Sequence, residues 1–454
     1  MTRLLYTLAI HALLPWAVLH LLWRARRQKD YLQHWGERFG LYRAVQPAPS
    51  LLAPLARKPG SLPPTGGASA WGGPAPTLPT LWIHAVSVGE TRAAQPLVAA
   101  LRQRYPGHRI LLTQMTPTGR ATAETLFGDA VTCAYLPYDT PWAVSGFLRH
   151  FRPQIGIVME TELWPNLVAA CQEQGVPLLL VNARLSEKSA RRYVRYPRLT
   201  AAALQGLSAI AAQGEADAQR LRTLGAPQVE VFGSLKFDID PPDHLADFRA
   251  LVGNRPVCLC ASTREGEEAL ILDAWMKVGA PQGLPSVAGA TALLVIVPRH
   301  PQRFDEVARL IEARQLLLQR RSDQQPVTVA TQVWLGDSMG ELFAYYAMAD
   351  LAFVGGSLLD YGSQNLIEPC AVGTPVLIGP STFNFADAAQ NALAAGAARQ
   401  VGTADELVRT AVELMGDVAE RQHMSEAGRA FAAQHRGATA KTLALIVPYI
   451  PESS

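Results

Sequence analysis

Three acidic side chains follow predicted buried strands in the first half of the chain. Glu90 comes shortly after the strand Leu81–Val86, and Glu160 and Glu162 follow the strand Ile155–Met159. A carboxylate at a helix start can complement the helix dipole, which is worth about 0.3–1 kcal/mol. It can equally act as a general base that removes a proton from an acceptor hydroxyl. Both roles stay open for Glu90, whereas two carboxylates after one strand repel each other and favour a functional role for Glu160 or Glu162.

Basic and amide side chains follow other predicted strands. Lys236 ends the first half of the chain, and Arg299 stands between a strand and a helix that begins at Pro301. A guanidinium beside the unpaired N–H groups of a helix start is a suitable phosphate site. Glu368, three residues after Asn365, can accept the hydroxyls of a ribose, although a capping box explains this pair equally well. The accumulation of such residues at strand ends is the functional signal.

The elements that must position these residues alternate between strand and helix. Short β-branched runs buried on both faces, separated by amphipathic segments, predict parallel, doubly wound sheets. The predicted strands are Leu81–Val86, Ile110–Thr113, Ile155–Met159, Leu178–Val181, Ala209–Ala212 and Val229–Phe232, then Val257–Ala261, Ala292–Val297, Val333–Leu335, Leu351–Val354 and Val376–Ile378. The predicted helices between them include Thr91–Arg104, Pro141–Phe151, Trp164–Gln174, Arg264–Val278, Pro301–Arg314, Gly340–Met348 and Asn365–Val372, and the run Ala404–Leu445 is predicted to be almost wholly helical.

The two series predict two Rossmann-like domains that face a central cleft, where ligands meet the carboxyl ends of the strands. We expect a membrane anchor and basic segment over residues 1–43, an insert over 44–80, and domains over 81–240 and 241–454. The insert contains nine prolines and five glycines, and we assign it no catalytic or binding role. Neither half contains a G-x-G-x-x-G or a P-loop, which argues against a dinucleotide or triphosphate bound in the usual way.

Leu4–Trp23 is a 20-residue segment without a formal charge. As a helix it is about 30 Å long, which matches a bilayer core. Arg24, Arg26, Arg27 and Lys29 follow it, and positive charge after a span places the rest of the chain in the cytoplasm. Two histidines and a proline make the span marginal, so an interfacial helix in the membrane plane stays open.

Composition excludes other classes of protein. The chain has 454 residues, is 49% hydrophobic and carries a net charge of +3, which excludes general disorder and gives no nucleic-acid footprint. Five scattered cysteines indicate reduced thiols in a reducing compartment. No Asp-x-Asp at a strand end suggests a metal–nucleotide clamp, so we expect neither a metal nor a cofactor.

Several motifs in order along the chain resemble one family, the 3-deoxy-D-manno-oct-2-ulosonic acid (Kdo) transferases of lipopolysaccharide synthesis. The similarity runs from the anchor to Thr382–Asp387 and leaves out only the Pro/Gly insert. The motifs are WGERF (Trp35–Phe39), HAVSVGE (His84–Glu90), YLPYD (Tyr135–Asp139), METELWPNL (Met159–Leu167), NARLS (Asn182–Ser186), GSLKFD (Gly233–Asp238), VPRHP (Val297–Pro301), GDSMGEL (Gly336–Leu342) and TFNFAD (Thr382–Asp387).

This resemblance implies an inverting GT-B glycosyltransferase that transfers Kdo from CMP-Kdo to the lipid A precursor lipid IVA at the inner membrane. It implies that Glu90 is the proton acceptor and that Glu160 and Lys236 stabilise the transition state. The implied CMP contacts are Pro298, Arg299, Met339, Gly340, Glu341, Asn365, Leu366, Ile367 and Glu368. The implied partners are CMP-Kdo, lipid IVA and inner-membrane lipid, with the catalytic domains on the cytoplasmic side.

One departure from the family pattern lies in the predicted donor site. The family usually has Gly-Gly-His-Asn where this chain has Gly362-Ser363-Gln364-Asn365, and Gln364 retains hydrogen-bonding capacity. A GT-B enzyme that uses a UDP-sugar is the alternative enzyme, and competition by CMP rather than UDP separates the two. A membrane-tethered binding protein with a decayed site is the non-enzymatic alternative, and a turnover assay tests it.

Overall fold

The structure is a computed structural model that describes residues 1–26, 28–42, 78–238, 247–278 and 291–450. The predicted insert at 44–80 therefore lies almost wholly outside the described residues. The chain forms two compact units, one of Met1–Phe232 with Thr439–Ser454 and one of Gly233–Ala438. We had placed the boundary after residue 240 and assigned the whole C-terminus to the second domain.

Unit 1 is built on a sheet of seven parallel strands in the order β3-β2-β1-β4-β5-β6-β7. The strands are β1 (Thr80–His84), β2 (Arg109–Gln114), β3 (Thr132–Tyr135), β4 (Pro153–Met159), β5 (Leu178–Ala183), β6 (Ala209–Ala212) and β7 (Glu230–Val231). The helices are α1 (Arg3–Ala25), α2 (Val88–Ala93), α3 (Gln95–Arg104), α4 (Pro117–Phe127), α5 (Pro141–Phe151), α6 (Pro165–Glu173), α7 (Glu187–Tyr193), α8 (Pro197–Gln205) and α9 (Glu215–Thr223).

Unit 2 repeats the plan with a second seven-stranded parallel sheet in the order β10-β11-β9-β8-β12-β13-β14. Its strands are β8 (Val257–Thr263), β9 (Leu293–Pro298), β10 (Leu318–Arg320), β11 (Val333–Leu335), β12 (Leu351–Val354), β13 (Val376–Ile378) and β14 (Ala398–Gln400). The helices are α10 (Phe248–Val252), α11 (Glu267–Lys277), α12 (Phe304–Glu312), α13 (Leu342–Met348), α14 (Ile367–Val372), α15 (Ala386–Ala394), α16 (Ala404–Gly416) and α17 (Val418–Gln434); α18 (Ala438–Ile446) begins at the unit boundary.

The central strands are mostly apolar and buried along their whole length because helices cover both faces of each sheet. Every residue of β1 and of β8 is buried. This arrangement confirms the predicted α/β class with two Rossmann-like domains. The sequence-based prediction missed three strands, β3, β10 and β14.

Each sheet has one topological switch point. The strands that come next in the sequence are added on one side of the first strand of the unit, and the later strands are added on its other side. In unit 1 the switch point lies between β1 and β4, and in unit 2 between β8 and β12. Ligands of open α/β sheets bind outside the strand ends at such points. The residues that follow these four strands are therefore the ones to examine.

The predicted apolar segment forms α1, a helix of 23 residues that is long and apolar enough to cross a membrane. Large apolar side chains such as Leu4, Leu8, Trp16 and Leu19 are more than half exposed. The helix also touches unit 1 near its start. Two short 3-10 helices, Lys29–Leu32 and Trp35–Phe39, follow it.

Candidate active site

Glu90 lies in the first turn of α2, directly after β1. Ser87 caps the helix, and its hydroxyl donates to Glu90 Oε1 at 3.0 Å. The backbone N–H of Val86 donates to Glu90 Oε2 at 2.7 Å. The carboxylate is thus folded back over the strand–helix turn and is buried. We had expected a helix from Thr91; α2 begins three residues earlier, and α3 follows it as a separate helix.

Burial, together with the smaller effects of the nearby charges of Glu160 and then Glu162, raises the pKa of Glu90 to about 8. The hydrogen bonds from Val86 and Ser87 oppose this shift because they stabilise the charged form. A carboxylate with a pKa near 8 is a much stronger proton acceptor than an ordinary glutamate. Since efficient general bases titrate near the working pH, this site is suited to proton abstraction.

Glu160 and Glu162 follow β4, across the switch point from Glu90. Glu160 has a left-handed backbone with φ of 58°, and its N–H donates to the Val181 carbonyl at 3.1 Å. Glu162 accepts a hydrogen bond of 2.8 Å from the Trp164 indole, while burial raises its pKa. The fold therefore brings together the three glutamates and gives Glu162 a structural partner.

Asp139 is a buried residue to which sequence analysis assigned no role. Its carboxylate accepts the backbone N–H of Asn166 at 3.0 Å and that of Leu167 at 2.8 Å, at the start of α6. The Tyr6 hydroxyl of α1 donates to the same carboxylate at 2.9 Å. Burial raises the pKa of Asp139 to about 6. Asp139 thus fixes the helix that follows the Glu160–Glu162 loop, and its place before the predicted helix Pro141–Phe151 gave no hint of this contact.

Lys236 belongs to unit 2 rather than to the first half, where we had expected it. It lies in a 3-10 helix, Leu235–Asp238, and its ammonium is 5.0 Å from the centroid of the Phe385 ring. Asp238 in the same turn accepts the N–H of Gly437 at 2.7 Å. These contacts hold the GSLKFD turn against the rest of unit 2.

Arg299 follows Pro298, the last residue of β9. Its backbone N–H donates to the Thr263 carbonyl at 3.0 Å, and its Nε donates to Gln364 Oε1 at 3.1 Å. Gln364, the residue that departs from the family pattern, thus orients the predicted phosphate-binding arginine. Ser363 beside it adopts a left-handed backbone with φ of 69°, a conformation that suits the glycine usual in the family.

The other predicted donor residues lie in two segments of unit 2. In the first, Met339 is exposed, Gly340 has φ of 84°, and Glu341 accepts a hydrogen bond from Arg321 at 2.9 Å. Neither segment starts its helix where predicted. Helix α13 begins at Leu342 rather than Gly340.

In the second segment, helix α14 begins at Ile367 rather than Asn365. Asn365 donates to Glu368 Oε1 at 3.1 Å and accepts the N–H of Ile367 at 3.0 Å. The side chains of Leu366 and Ile367 are buried, so a ligand can meet these two residues only through their backbone.

Within the part of the chain that the structure describes, no three His, Cys, Asp or Glu side chains form a group that could hold a metal ion. The two sets of predicted residues each lie at strand ends of one sheet. The acidic set flanks the β1/β4 switch point, and Arg299 and Gln364 lie beside the β8/β12 switch point.

Known proteins place this chain in a family. The sequence model described as 3-deoxy-D-manno-octulosonic-acid transferase (kdotransferase) matches residues 33–239. A 3-deoxy-D-manno-octulosonic acid transferase of Bordetella pertussis is 45% identical over 98% of this chain and 98% of its own length. One from Haemophilus influenzae is 39% identical over 82% of this chain and 87% of its own. The chain belongs to the Kdo transferase family.

The Kdo transferase is a glycosyltransferase, and its fold has relatives among solved structures. A glycosyltransferase from Rickettsia africae superimposes with a TM-score of 0.56 at 13% identity and covers 84% of this chain and 100% of its own. At this identity the likeness shows the fold alone, which is of the GT-B type. The family model and the two relatives confirm the predicted family and enzyme class, and the solved structure confirms the predicted fold.

Proposed function

We propose that this Kdo transferase transfers Kdo from CMP-Kdo to lipid IVA with inversion at the anomeric carbon. The observation that carries the proposal is the buried Glu90, whose pKa is raised to about 8 by burial and Glu160, at the β1/β4 switch point of a Kdo transferase. A buried acid with a raised pKa at this place is costly to stability, so a role in catalysis explains its retention.

Glu90 acts as the base on the acceptor hydroxyl. As the acceptor oxygen forms its bond to Kdo C2, the hydroxyl proton passes to the Glu90 carboxylate, and the bond between C2 and the phosphate oxygen breaks to release CMP. Attack from the face opposite the leaving phosphate inverts the configuration. Glu160 and Lys236 stabilise the transition state, and most of the rate enhancement comes from positioning and charge.

The donor nucleotide binds at the strand ends of unit 2. Arg299, oriented by Gln364, contacts the CMP phosphate, and Pro298 lines the same strand end. Glu368 accepts the ribose hydroxyls and is itself held by Asn365. The segment Met339–Glu341 and the backbone of Leu366 and Ile367 complete the nucleotide site. A CMP phosphate is a good leaving group, so its departure needs little acid catalysis.

Helix α1 holds the enzyme at the inner membrane with both catalytic domains on the cytoplasmic side. We infer that it lies in the membrane plane. Near its start, Tyr6 donates to Asp139 at 2.9 Å and Thr7 to Asn166 Oδ1 at 2.9 Å. Beyond its end, the Arg38 carbonyl accepts the N–H of Tyr138 at 2.9 Å, beside Asp139.

These contacts attach both flanks of α1 to neighbouring residues of unit 1, namely Tyr138 and Asp139 in the loop after β3 and Asn166 in α6. A 23-residue helix is about 34 Å long, so a spanning α1 would leave its C-terminal end across the bilayer from Asp139. The chain between Arg26 and Arg38 would then have to return through hydrocarbon with Lys29, Asp30 and Glu37, which is energetically prohibitive. An interfacial helix avoids this cost and presents its leucines and tryptophans to the lipid.

The test is turnover by the purified full chain with CMP-Kdo and detergent-dispersed lipid IVA. We expect mass spectrometry to show lipid IVA with added Kdo, NMR of the product to show the inverted anomer, and CMP rather than UDP to inhibit. The variant Arg299→Ala should weaken calorimetric binding of CMP at least tenfold. Absence of Kdo transfer, or inhibition by UDP alone, would contradict the proposal.

A further inference from the structure

Arg264 lies at the switch point of unit 2, although sequence analysis did not select it. It is the first residue after β8, and the strand on the other side of the switch point, β12, ends just before Gly355 and Gly356. A Cβ built on Gly356 would lie 3.3 Å from Arg264 Cγ, and Gly356 has φ of 71°. The arginine side chain therefore runs directly over the turn that follows β12.

The guanidinium of Arg264 rests on an aromatic platform. Its Cζ is 4.6 Å from the centroid of the Tyr361 ring. The Tyr361 hydroxyl donates to the Glu265 carbonyl at 3.1 Å, which holds the ring in place. Stacking of this kind restrains a guanidinium while leaving its N–H groups available to donate in the plane of the guanidinium itself.

The carboxylates around Arg264 are occupied elsewhere. Glu267 accepts three backbone N–H groups, those of Arg264, Gly356 and Leu358, at 2.7–3.0 Å. Glu268 accepts Arg303 at 2.6 Å. Among the described residues, no carboxylate lies within ion-pair distance of the Arg264 guanidinium. Its charge is therefore not neutralised by any carboxylate that the structure describes.

Arg264 and Arg299 contribute to one electropositive region. The strands that precede them, β8 and β9, are paired. Burial lowers the pKa of His300, and the charges of Arg264, Arg299 and Arg303 lower it further. Arg303 is compensated by Glu268 and by Glu306 at 3.1 Å, and the Nε of Arg299 donates to the Gln364 amide. The region is suited to a ligand with more than one negative charge.

CMP-Kdo is such a ligand, because its anomeric carbon carries both the phosphate and a carboxylate. We propose that Arg264, stacked on Tyr361, binds the carboxylate of the ulosonic acid sugar while Arg299 binds the phosphate. The inference rests on the proposed function and adds a specificity-determining residue to it. A planar guanidinium can donate two parallel hydrogen bonds to a carboxylate, and a nucleotide sugar without a carboxylate cannot use them.

The test compares two ligands that differ only in the sugar. We would measure calorimetric binding of CMP and of CMP-Kdo, without acceptor, to the full chain and to Arg264→Gln and Arg264→Lys. For Arg264→Gln we expect CMP affinity within about twofold of the unchanged chain and CMP-Kdo affinity about 10- to 100-fold lower, the range for a charge-assisted hydrogen bond. Arg264→Lys should lose less CMP-Kdo affinity than Arg264→Gln does.

Two further variants separate binding from folding. Arg309→Gln removes an exposed arginine of α12 in the same unit and should change neither affinity. Tyr361→Leu removes the platform and should weaken CMP-Kdo binding alone, by less than Arg264→Gln does. If Arg264→Gln fails to fold, Arg264→Lys and Tyr361→Leu carry the test.

Equal loss of CMP and CMP-Kdo affinity in the Arg264 or Tyr361 variants would overturn the inference, and so would no loss of either. Those results leave the proposed function intact if the unchanged chain transfers Kdo. If the unchanged chain binds CMP but not CMP-Kdo, both the inference and the proposed function fail.

Discussion

At the residue scale, Glu90 combines the two roles that its position in the sequence suggests. It completes the start of α2 through its contacts with Ser87 and Val86, and it is a buried acid with a raised pKa. The same hydrogen bonds that fix the carboxylate moderate the pKa shift that burial and Glu160 produce. Helix capping and proton acceptance are thus compatible here, because the first supplies the orientation that the second needs.

Glu90→Gln should abolish transfer and preserve CMP binding. Loss of a general base costs about 10²–10⁴-fold in turnover, while calorimetric CMP affinity should stay within about twofold. Turnover close to that of the unchanged chain would contradict the assignment of the base.

The same variant has a pH signature in stability. The folded chain keeps the Glu90 proton up to a pKa of about 8, whereas the unfolded chain releases it near the ordinary glutamate pKa of 4.5. Between these values the unfolded state binds fewer protons, so this group makes the free energy of unfolding fall as pH rises. Relative to the unchanged chain, the melting temperature of Glu90→Gln should therefore rise between pH 5 and pH 8.5. A difference independent of pH would show that the pKa of Glu90 is ordinary.

Glu160→Gln should move the acid limb of the pH profile of kcat/KM for Kdo transfer to lower pH. Proton abstraction requires ionised Glu90, so kcat/KM rises with pH up to its pKa, and removing the charge of Glu160 lowers that pKa. Because Glu160 also stabilises the proposed transition state, residual rates should be much reduced. Glu162→Gln is the matched control, since its charge raises the pKa of Glu90 less. Equal displacement of the limb by both variants would contradict this ranking.

At the element scale, sequence analysis found every interior strand of the two sheets and one edge strand, β7. The three missed strands, β3, β10 and β14, are all edge strands. β10 and β14 have only three residues each and are mostly not buried, so they lack the continuous apolar run of a central strand. Their identity as strands depends on a neighbouring strand to pair with, which no local pattern records.

Close packing of neighbouring strands makes Gly156→Ala a sharp test of the unit 1 core. Gly156 in β4 pairs with Trp82 in β1 and Leu178 in β5, and a Cβ on it would lie 2.6 Å from the Trp82 ring and 2.5 Å from Leu178 Cδ1. Overpacking of this kind costs about 1–3 kcal/mol of unfolding free energy. Urea unfolding should show this loss. Gly107→Ala, where a Cβ meets nothing within 4 Å, should be nearly neutral; equal effects would contradict the packing argument.

At the scale of the whole molecule, the proposed membrane attachment depends on α1, a helix long and apolar enough to cross a membrane. Its first turns bond to the rest of unit 1, and its leucines and tryptophans are exposed, as the proposed in-plane arrangement requires. The arrangement would keep the acidic strand ends of unit 1 on the same side of the bilayer as both ends of the helix. A lipid acceptor could then be reached without leaving the membrane.

The in-plane arrangement predicts that the N-terminus of the chain is cytoplasmic. An alkaline phosphatase fused ahead of Met1 should be inactive in cells, and a green fluorescent protein at the same position should fluoresce. The same reporters fused at the C-terminus provide the control, because both arrangements place that end in the cytoplasm. An active N-terminal phosphatase would show a spanning helix and contradict the contacts of Tyr6 and Thr7 with unit 1.

The sequence by itself determined the strand–helix alternation, the two-domain plan and the polar residues at the strand ends. It could do so because a parallel strand covered on both faces must be continuously apolar, and the first polar residue after it marks the strand end. The motifs then indicated the family. None of this required knowledge of which strands are neighbours.

Only the tertiary structure decided which strand ends meet. The pairing of β1 with β4 brings Glu160 close enough to raise the pKa of Glu90, and the β8/β12 switch point brings Gly356 and Tyr361 to Arg264. The contact between Gln364 and Arg299 likewise joins residues 65 positions apart. Strand order and burial are properties of the whole sheet, so the electrostatics that depend on them cannot be read from local residue spacing.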